Sequence, residues 1–372
     1  MRPFPRGSSP TVSVHSSPSA RVLVTGGAGF VGASLCLALR AARPDVAVVA
    51  LDSLRRRGSE LNLPRLKAAG VEFVHGDVRS PGDLLALDPI TAIVECSAEP
   101  SVLAGMGGGA DYVVQTNLVG AYNCLELARR DGAQFIFLST SRVYPLAGLN
   151  RLALREGETR LELEPRQALP GASEHGIAED FPLTGARTLY GATKLSAELL
   201  VAEYGDAFGV PAVVDRCGVI AGPWQMGKVD QGVFTHWLLS HHTGRPLTYI
   251  GYGGTGKQVR DVLHIDDLCD LILEQLDDPA AWDGETLNVG GGVEGSLSLA
   301  ETTALCRELT GREVEIAPVA ENRPGDVPHY ASDSRRLFAR TAWRPRRGPR
   351  TVLEDTYNWI RENERAVLAA LG

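Results

Sequence analysis

The sequence predicts an α/β protein: a doubly wound parallel sheet with helices on both faces, joined to a smaller C-terminal lobe. Three observations carry this. Short apolar, β-branched runs alternate with helically spaced stretches from residue 21 to about 215, which is the pattern of βαβ units. The first run ends abruptly in glycines that open a helix. Beyond Cys217 the chain changes to longer polar and glycine-rich loops.

Arg21-Val-Leu-Val-Thr25 reads as a buried strand, because strands covered on both faces are continuously apolar. Residues 30–42 carry apolar side chains at helical spacing, and Val46-Ala-Val-Val-Ala-Leu51 is a second strand closed by Asp52. Val71–His75, Ala92–Cys96 and Gln134–Ser139 are further strands, with helical stretches near 81–87 and 111–130. A helix at about 190–208 and a strand at Ala212–Asp215 complete the series. Right-handed crossovers wind such units into one sheet. A helix is expected near 232–243, and Gly251–Gly256 lacks the residue order of a phosphate loop, so it reads as an ordinary loop. The expected division is a tail at 1–20, a large domain at 21–215 and 258–283, and a lobe at 216–257 and 284–372. The polar, charged stretch 146–188 has the length of a lid or substrate collar.

Composition excludes several classes. With 44% hydrophobic and 22% charged residues among 372, the chain has enough apolar material for a sizeable core. No run reaches the roughly 20 apolar residues of a membrane helix. A net charge of −8 argues against nucleic acid as partner. The six cysteines form no C-x-x-C pair and no cluster at metal spacing, so no metal site is expected. Residues 1–20 are rich in Ser and Pro without a signal peptide's apolar stretch, which points to a disordered tail on a cytoplasmic protein.

Three motifs carry chemistry. Thr25-Gly-Gly-Ala-Gly-Phe-Val-Gly32 lies between a strand and a helix and satisfies G-x-G-x-x-G. Glycine allows the tight turn, and its missing Cβ lets backbone N–H groups reach a pyrophosphate at the helix N-terminus. A glycine trio alone marks only a turn; its flanking elements, with Asp52 twenty residues on, mark a dinucleotide site. Asp52, ending the second strand, would bind the adenosine ribose and repel a 2′-phosphate, favouring NAD over NADP. Arg55, Arg56 and Arg57 leave the other choice open, either as a 2′-phosphate grip or as a solvated basic turn.

The second motif is Tyr190-Gly-Ala-Thr-Lys194. Residues four apart share a helix face, so the ammonium should lie near the phenol and favour its phenolate, a usable general base. The chain has nine tyrosines and only four lysines, so this spacing is rarely accidental. The third motif, Thr140-Ser141-Arg142-Val-Tyr144, follows a strand at the sheet edge where such folds bind ligands. A hydroxyl there can hydrogen-bond an oxygen being oxidised, although a Ser or Thr in that place often only caps a turn.

Together these residues resemble the extended short-chain dehydrogenase/reductase superfamily, specifically its nucleotide-sugar epimerases and dehydratases, from residue 21 to about 360. Asp52–Asn62, Gly222–Gly232 and Gly256–His264 are similar to the CDP-paratose 2-epimerase (CDP-tyvelose epimerase) group. The resemblance implies a Rossmann domain with bound NAD, a nucleotide-diphosphate sugar substrate, and a homodimer formed by helices 111–130 and 190–208. It makes Thr140, Tyr190 and Lys194 the catalytic set. It places Gly26, Gly29, Phe30, Val31 and Gly32 at the dinucleotide turn, Asp77 and Val78 at the adenine, and Ser97 and Ala98 beside the nicotinamide. Ser141 and Arg142 fall at the sugar, while Arg260 and Arg323 match arginines that grip the diphosphate.

Related 4,6-dehydratases carry Asp-Glu after the threonine, to eliminate water. Ser141-Arg142 lacks both carboxylates, which favours epimerisation by transient oxidation and hydride return. By resemblance the carbon is C2 of a 6-deoxy or dideoxy hexose on CDP. The alternatives are a C4 epimerase of UDP or GDP sugars, a 4,6-dehydratase, and a non-catalytic NAD-sensing protein. Pro145 where the superfamily usually has glycine, Ser141-Arg142 in place of Asn-Lys, and the long 146–188 stretch all lie near the sugar.

Overall fold

The computed structural model describes residues 20–226 and 232–371. The expected tail therefore lies outside the described residues except for Ala20, as does the middle of the Gly222–Gly232 segment. The first half alternates as anticipated: β1 Arg21–Thr25, α1 Phe30–Ala42, β2 Ala47–Asp52, β3 Glu72–His75, β4 Ala92–Glu95. A helix Ala110–Val114 (α2) then runs through a π-helical turn, Gln115–Val119, into α3 Gly120–Asp131. β5 Gln134–Thr140, α4 Leu189–Phe208 and β6 Ala212–Cys217 follow. The rest comprises β7 Val219–Ala221, α5 Val233–Thr243, β8 Leu247–Ile250, β9 Val259–His264, α6 Ile265–Asp277, β10 Glu285–Val289, β11 Ser296–Ser298, α7 Leu299–Thr310, β12 Ile316–Val319, β13 His329–Tyr330 and α8 Pro349–Glu362, with further short helices and turns between and after them.

Seven parallel strands form the central sheet in the order β3-β2-β1-β4-β5-β6-β10. The order reverses between β1 and β4, so a crevice opens beyond their carboxyl ends, where doubly wound sheets hold ligands. One apolar layer packs α1 and α6 on one face, through Leu35, Leu39, Leu268 and Ile272. The other packs α3 and α4, through Cys124, Leu125, Ala197 and Val201. Such two-sided burial explains why the strands read as unbroken apolar runs.

Two segments sit differently from the expected division. Glu285–Val289, in the range assigned to the lobe, is the edge strand of the central sheet, beside β6. Asn288 interrupts its apolar signal, yet it is buried because Tyr144 Oη donates to its Oδ1 at 2.7 Å and its Nδ2 donates to Ile177 O at 2.7 Å. Val259–His264, in the range assigned to the large domain, pairs with β7, β11 and β13 in a second sheet. The helix α6, directly after it, and Trp282 return to cover the large sheet. A strand that leads into a covering helix looks the same in sequence whichever sheet it joins.

A third apolar cluster, including Phe234, Trp237, Leu238, Val352, Trp359 and Ile360, holds α5 and α8 together. Residues 146–188 form a packed collar: short hairpins pair Leu154–Glu156 with Leu161–Leu163 and Ala172–Ser173 with Gly176–Ile177. Leu149, Leu152, Ile177 and Phe181 form a fourth cluster with Tyr144 and Tyr330. Arg160 ties the collar to the N-terminus of α7, donating from Nε to Glu301 Oε1 at 2.7 Å. Glu301 also closes a capping box, its Oε2 accepting from Ser298 N at 3.0 Å.

Candidate active site

One cavity of about 500 Å³ opens at the crevice and runs into the cleft beneath the lobe. The candidate site residues line it: the five of the glycine turn, Asp52, Asp77, Val78, Ser97 and Ala98 at one end, then Thr140, Ser141, Arg142, Tyr190 and Lys194, then Arg260 and Arg323, whereas Tyr144, Pro145 and residues 146–188, expected near the sugar, do not line it.

The dinucleotide end is built for close backbone approach. A Cβ on Gly32 would lie 2.2 Å from the carbonyl oxygen of Gly26, so only glycine lets α1 start against the turn. No side chain caps α1 at Gly29, which leaves first-turn N–H groups facing the cavity for an anion. Asp52 Oδ2 accepts from Ala28 N at 3.1 Å, and its Oδ1 accepts from Leu54 N at 2.8 Å. The second bond braces Leu54 at a φ of +54°. Burial pushes the Asp52 carboxyl above its usual range, against these N–H bonds. Asp77 pairs with Arg79, whose Nε donates to both oxygens at 3.0 Å and holds the carboxyl below the usual range. In the basic turn, Arg55 stacks 4.0 Å over the Tyr112 ring and Arg57 donates to Ala369 O at 2.8 Å. These residues fit a dinucleotide diphosphate at the α1 N-terminus with its adenosine beside Asp52 and Asp77. We expect Gly32→Ala to displace α1, costing about 1–3 kcal/mol of packing and lowering NAD affinity about tenfold or more in calorimetric titration.

The chemical centre depends on a second close approach. A Cβ on Gly191 would lie 2.1 Å from the Arg142 carbonyl oxygen. Glycine at that position lets α4 begin against the turn after β5, which brings Tyr190 to the Thr140 hydroxyl. Thr188 caps the helix, its Oγ1 accepting from Gly191 N at 3.3 Å. The Thr140 hydroxyl also accepts from Arg142 N at 3.2 Å, so the residue caps the turn while lining the cavity. Burial pushes the Tyr190 phenol up to about 12; the Thr140 hydrogen bond and the Arg142 charge pull the other way. The Lys194 ammonium donates to Glu95 Oε2 at 3.3 Å and lies 3.9 Å from the centre of the Phe137 ring.

Farther along the cavity, Arg142 Nη1 donates to Gly325 O at 3.2 Å. Burial and then the neighbouring Arg260 push Arg142 down to about 10, still a cation at neutral pH. Arg260 is paired with Asp326 and donates to Val327 O at 2.6 Å. From the lobe, Trp237, Gln258 and Thr302 also line the cavity. Sequence reading missed these three because no motif marks them. It also missed Glu95, whose signal was a lone acid closing the apolar run from Ala92.

Among the described residues, no group of His, Cys, Asp and Glu could hold a metal ion, and no helix is long and apolar enough to cross a membrane. The chain is 29% identical to CDP-paratose 2-epimerase from Salmonella typhi, an alignment covering 91% of this chain and 98% of that protein. It is 31% identical to dTDP-glucose 4,6-dehydratase from Mycolicibacterium smegmatis, covering 92% and 94%. Among solved structures, the dTDP-glucose 4,6-dehydratase DesIV from Streptomyces venezuelae, determined with NAD, superposes with a TM-score of 0.75 at 29% identity over 93% of this chain and 98% of that one. The UDP-glucose 4-epimerase of Thermus thermophilus, also with NAD, gives 0.73 at 26% identity over 92% and 99%. Residues 22–290 match the NAD dependent epimerase/dehydratase family. With the glycine turn, the Tyr190/Lys194 pair and a cavity joining them, this establishes that the chain belongs to that family and is an NAD-dependent enzyme of nucleotide sugars.

Proposed function

We propose that the protein epimerises a nucleotide-diphosphate sugar, with C2 of a CDP-linked 6-deoxy or dideoxy hexose as the reading the sequence favours. One observation supports epimerisation above all: beside the Tyr190–Thr140 hydrogen bond, the next two side chains are Ser141 and Arg142, so the following turn offers no carboxylic acid or base for eliminating water. Similarity to the Salmonella typhi CDP-paratose 2-epimerase supports the choice of carbon and nucleotide.

Bound NAD+ supplies a hydride acceptor, a hydride donor once reduced, and a positive charge on its nicotinamide ring. Tyr190, once a phenolate, takes the proton of the sugar hydroxyl as the carbinol C–H bond gives up its hydride. The Thr140 hydroxyl, already bonded to that phenol, orients the sugar oxygen. The Lys194 ammonium stabilises the phenolate. The keto sugar turns over within the cavity, Tyr190 returns the proton to the new alkoxide, and the carbon regains its hydride on the opposite face. Arg260 and Arg323 hold the diphosphate with their forked donors, and Arg142 steadies the sugar.

The test is proton NMR of the enzyme in heavy water with NAD+ and CDP-paratose. Inversion at C2 without deuterium uptake supports the reading, because the carbon regains its own hydride. The similarity to dTDP-glucose 4,6-dehydratases makes dehydration the second reading, and deuterium incorporation with loss of water from dTDP-glucose would establish it instead. Inversion of C4 in a UDP or GDP sugar would move the chemistry to that carbon.

We also propose that the chain is a homodimer paired through α3 and α4. Leu199, Phe208 and Tyr122 on these helices are 68%, 54% and 43% exposed, an apolar patch that a partner copy would cover. Light scattering should give twice the chain mass for the wild type and the single mass for Leu199→Arg. A monomeric wild type would refute the pairing. Six free thiols, five of them buried, support a cytoplasmic location.

A further inference from the structure

Glu95 ends β4 on the carboxyl edge of the sheet, between the strands that carry the glycine turn and Thr140. Its side chain is 1% exposed, and that of Lys194 is 2% exposed. The two meet at 3.3 Å across the gap between β4 and α4. Glu95 does not line the cavity, whereas Lys194 does, so its contact with the chemistry runs through Lys194, with only its charge acting directly to raise the Tyr190 phenol. Its second oxygen, Oε1, has no hydrogen-bond partner, which leaves the ammonium as the main compensation for a buried carboxylate. Such a charge is costly to bury alone.

The other titratable groups around the pair cannot serve as the counter-charge. Cys96 follows Glu95 on the strand, Cys124 approaches from α3, and Cys217 from the end of β6. Burial pushes all three thiols well up, so they stay neutral. Tyr190, on the same helix as Lys194, is likewise neutral in the free chain. Thr25 and the Ser97 N–H offer only neutral dipoles to Glu95. The Phe137 ring presents its face to the ammonium.

We propose that Glu95 is the positioning residue of the Tyr190/Lys194 pair: its carboxylate anchors the buried Lys194 ammonium at the sheet edge and keeps it charged beside the phenol. The inference rests on Tyr190 and Lys194 carrying the chemistry. It goes further in making the working unit a line of three groups, Glu95–Lys194–Tyr190, with the acid hidden behind the cavity wall. Carboxylate and phenol compete for the same cation, so the strength of the Glu95 contact sets how far Lys194 assists ionisation of Tyr190.

Two measurements on the full-length NAD-loaded enzyme test this. In Glu95→Gln the buried ammonium loses its counter-charge and sheds its proton more easily. The alkaline limb of the turnover profile should therefore move about one pH unit or more toward acid, and Glu95→Asp should restore most of the shift. A profile that only loses height, with both limbs in place, would overturn the proposal in favour of a merely structural acid. The second measurement covers poor folding of that variant. Lys194→Met leaves Glu95 buried and unpaired and should lower the melting temperature, while Lys194→Met combined with Glu95→Gln should recover much of the loss. Additive losses in the double variant would also overturn it. Failure of the catalytic reading itself is seen separately, as full turnover in Lys194→Met.

Discussion

Tyr190→Phe should lower kcat by roughly 10²–10⁴-fold, the usual contribution of a positioned acid–base group, with NAD affinity little changed. The phenol is buried at the cavity wall and hydrogen-bonded to Thr140. Phenylalanine keeps the ring and its packing and removes only the oxygen proposed to exchange the proton. In the free chain, burial holds that phenol at about 12, so the resting protein carries it neutral. The expectation that Lys194 alone would favour the phenolate overlooked Glu95, which engages the ammonium. Single-turnover absorbance at 340 nm gives a sharp readout: the wild type with substrate transiently forms NADH, and Tyr190→Phe forms it far more slowly. Unchanged turnover would remove Tyr190 from the mechanism and with it the proposed role of Lys194.

The largest stability effect is expected directly behind that centre. Arg216 on β6 and Glu198 on α4 are both nearly buried and paired at 2.8 Å. The Arg216 Nε donates to both carboxylate oxygens, at 3.1 and 3.2 Å, and Ser139, next to Thr140, donates to the same carboxylate. Arg216 Nη1 reaches Tyr144 Oη at 3.3 Å, and that hydroxyl continues to Asn288. The network thus clamps β5, β6, β10 and α4 one residue from Thr140 and one turn from Lys194. Arg216→Met should cost about 3–5 kcal/mol, because it leaves the Glu198 charge buried and unpaired. Combining it with Glu198→Gln should cost less than the two single changes summed, as measured by urea unfolding. Turnover in the surviving fraction should also fall, since Thr140 and Tyr190 lose the clamp that registers them.

Parts of the site were legible at once because local geometry writes them into short stretches of chain. The glycine turn must sit between a strand and a helix, and Gly32 shows why: only hydrogen fits against the Gly26 carbonyl. Tyr190 and Lys194 are legible because helix periodicity alone puts them on one face. Thr140 is different. Its residue type and strand-end position are common, and it gained a role only by resemblance and by the approach of α4 across Gly191.

What escaped the sequence was pairing at a distance. Glu285–Val289 carries a weak strand signal broken by Asn288, and its place in the central sheet comes from β6 alongside and from Tyr144 and Ile177 satisfying that amide. The stretch 146–188 reads as an open polar loop; it becomes a collar because Leu149, Ile177 and Phe181 meet Tyr144 and Tyr330, whereas its charges, such as Arg160, find partners on the lobe.

The amino-acid sequence by itself determined the doubly wound sheet, the dinucleotide turn and the tyrosine–lysine pair, since each follows from periodicity, backbone sterics or spacing within a few residues. Only the tertiary structure decided which sheet β9 and β10 join, that Lys194 answers to Glu95, ninety-nine residues away, and that the arginines of three separate segments line the cavity beside the chemistry. Those outcomes depend on which buried charges and apolar faces meet across the folded chain, and no local pattern encodes that meeting.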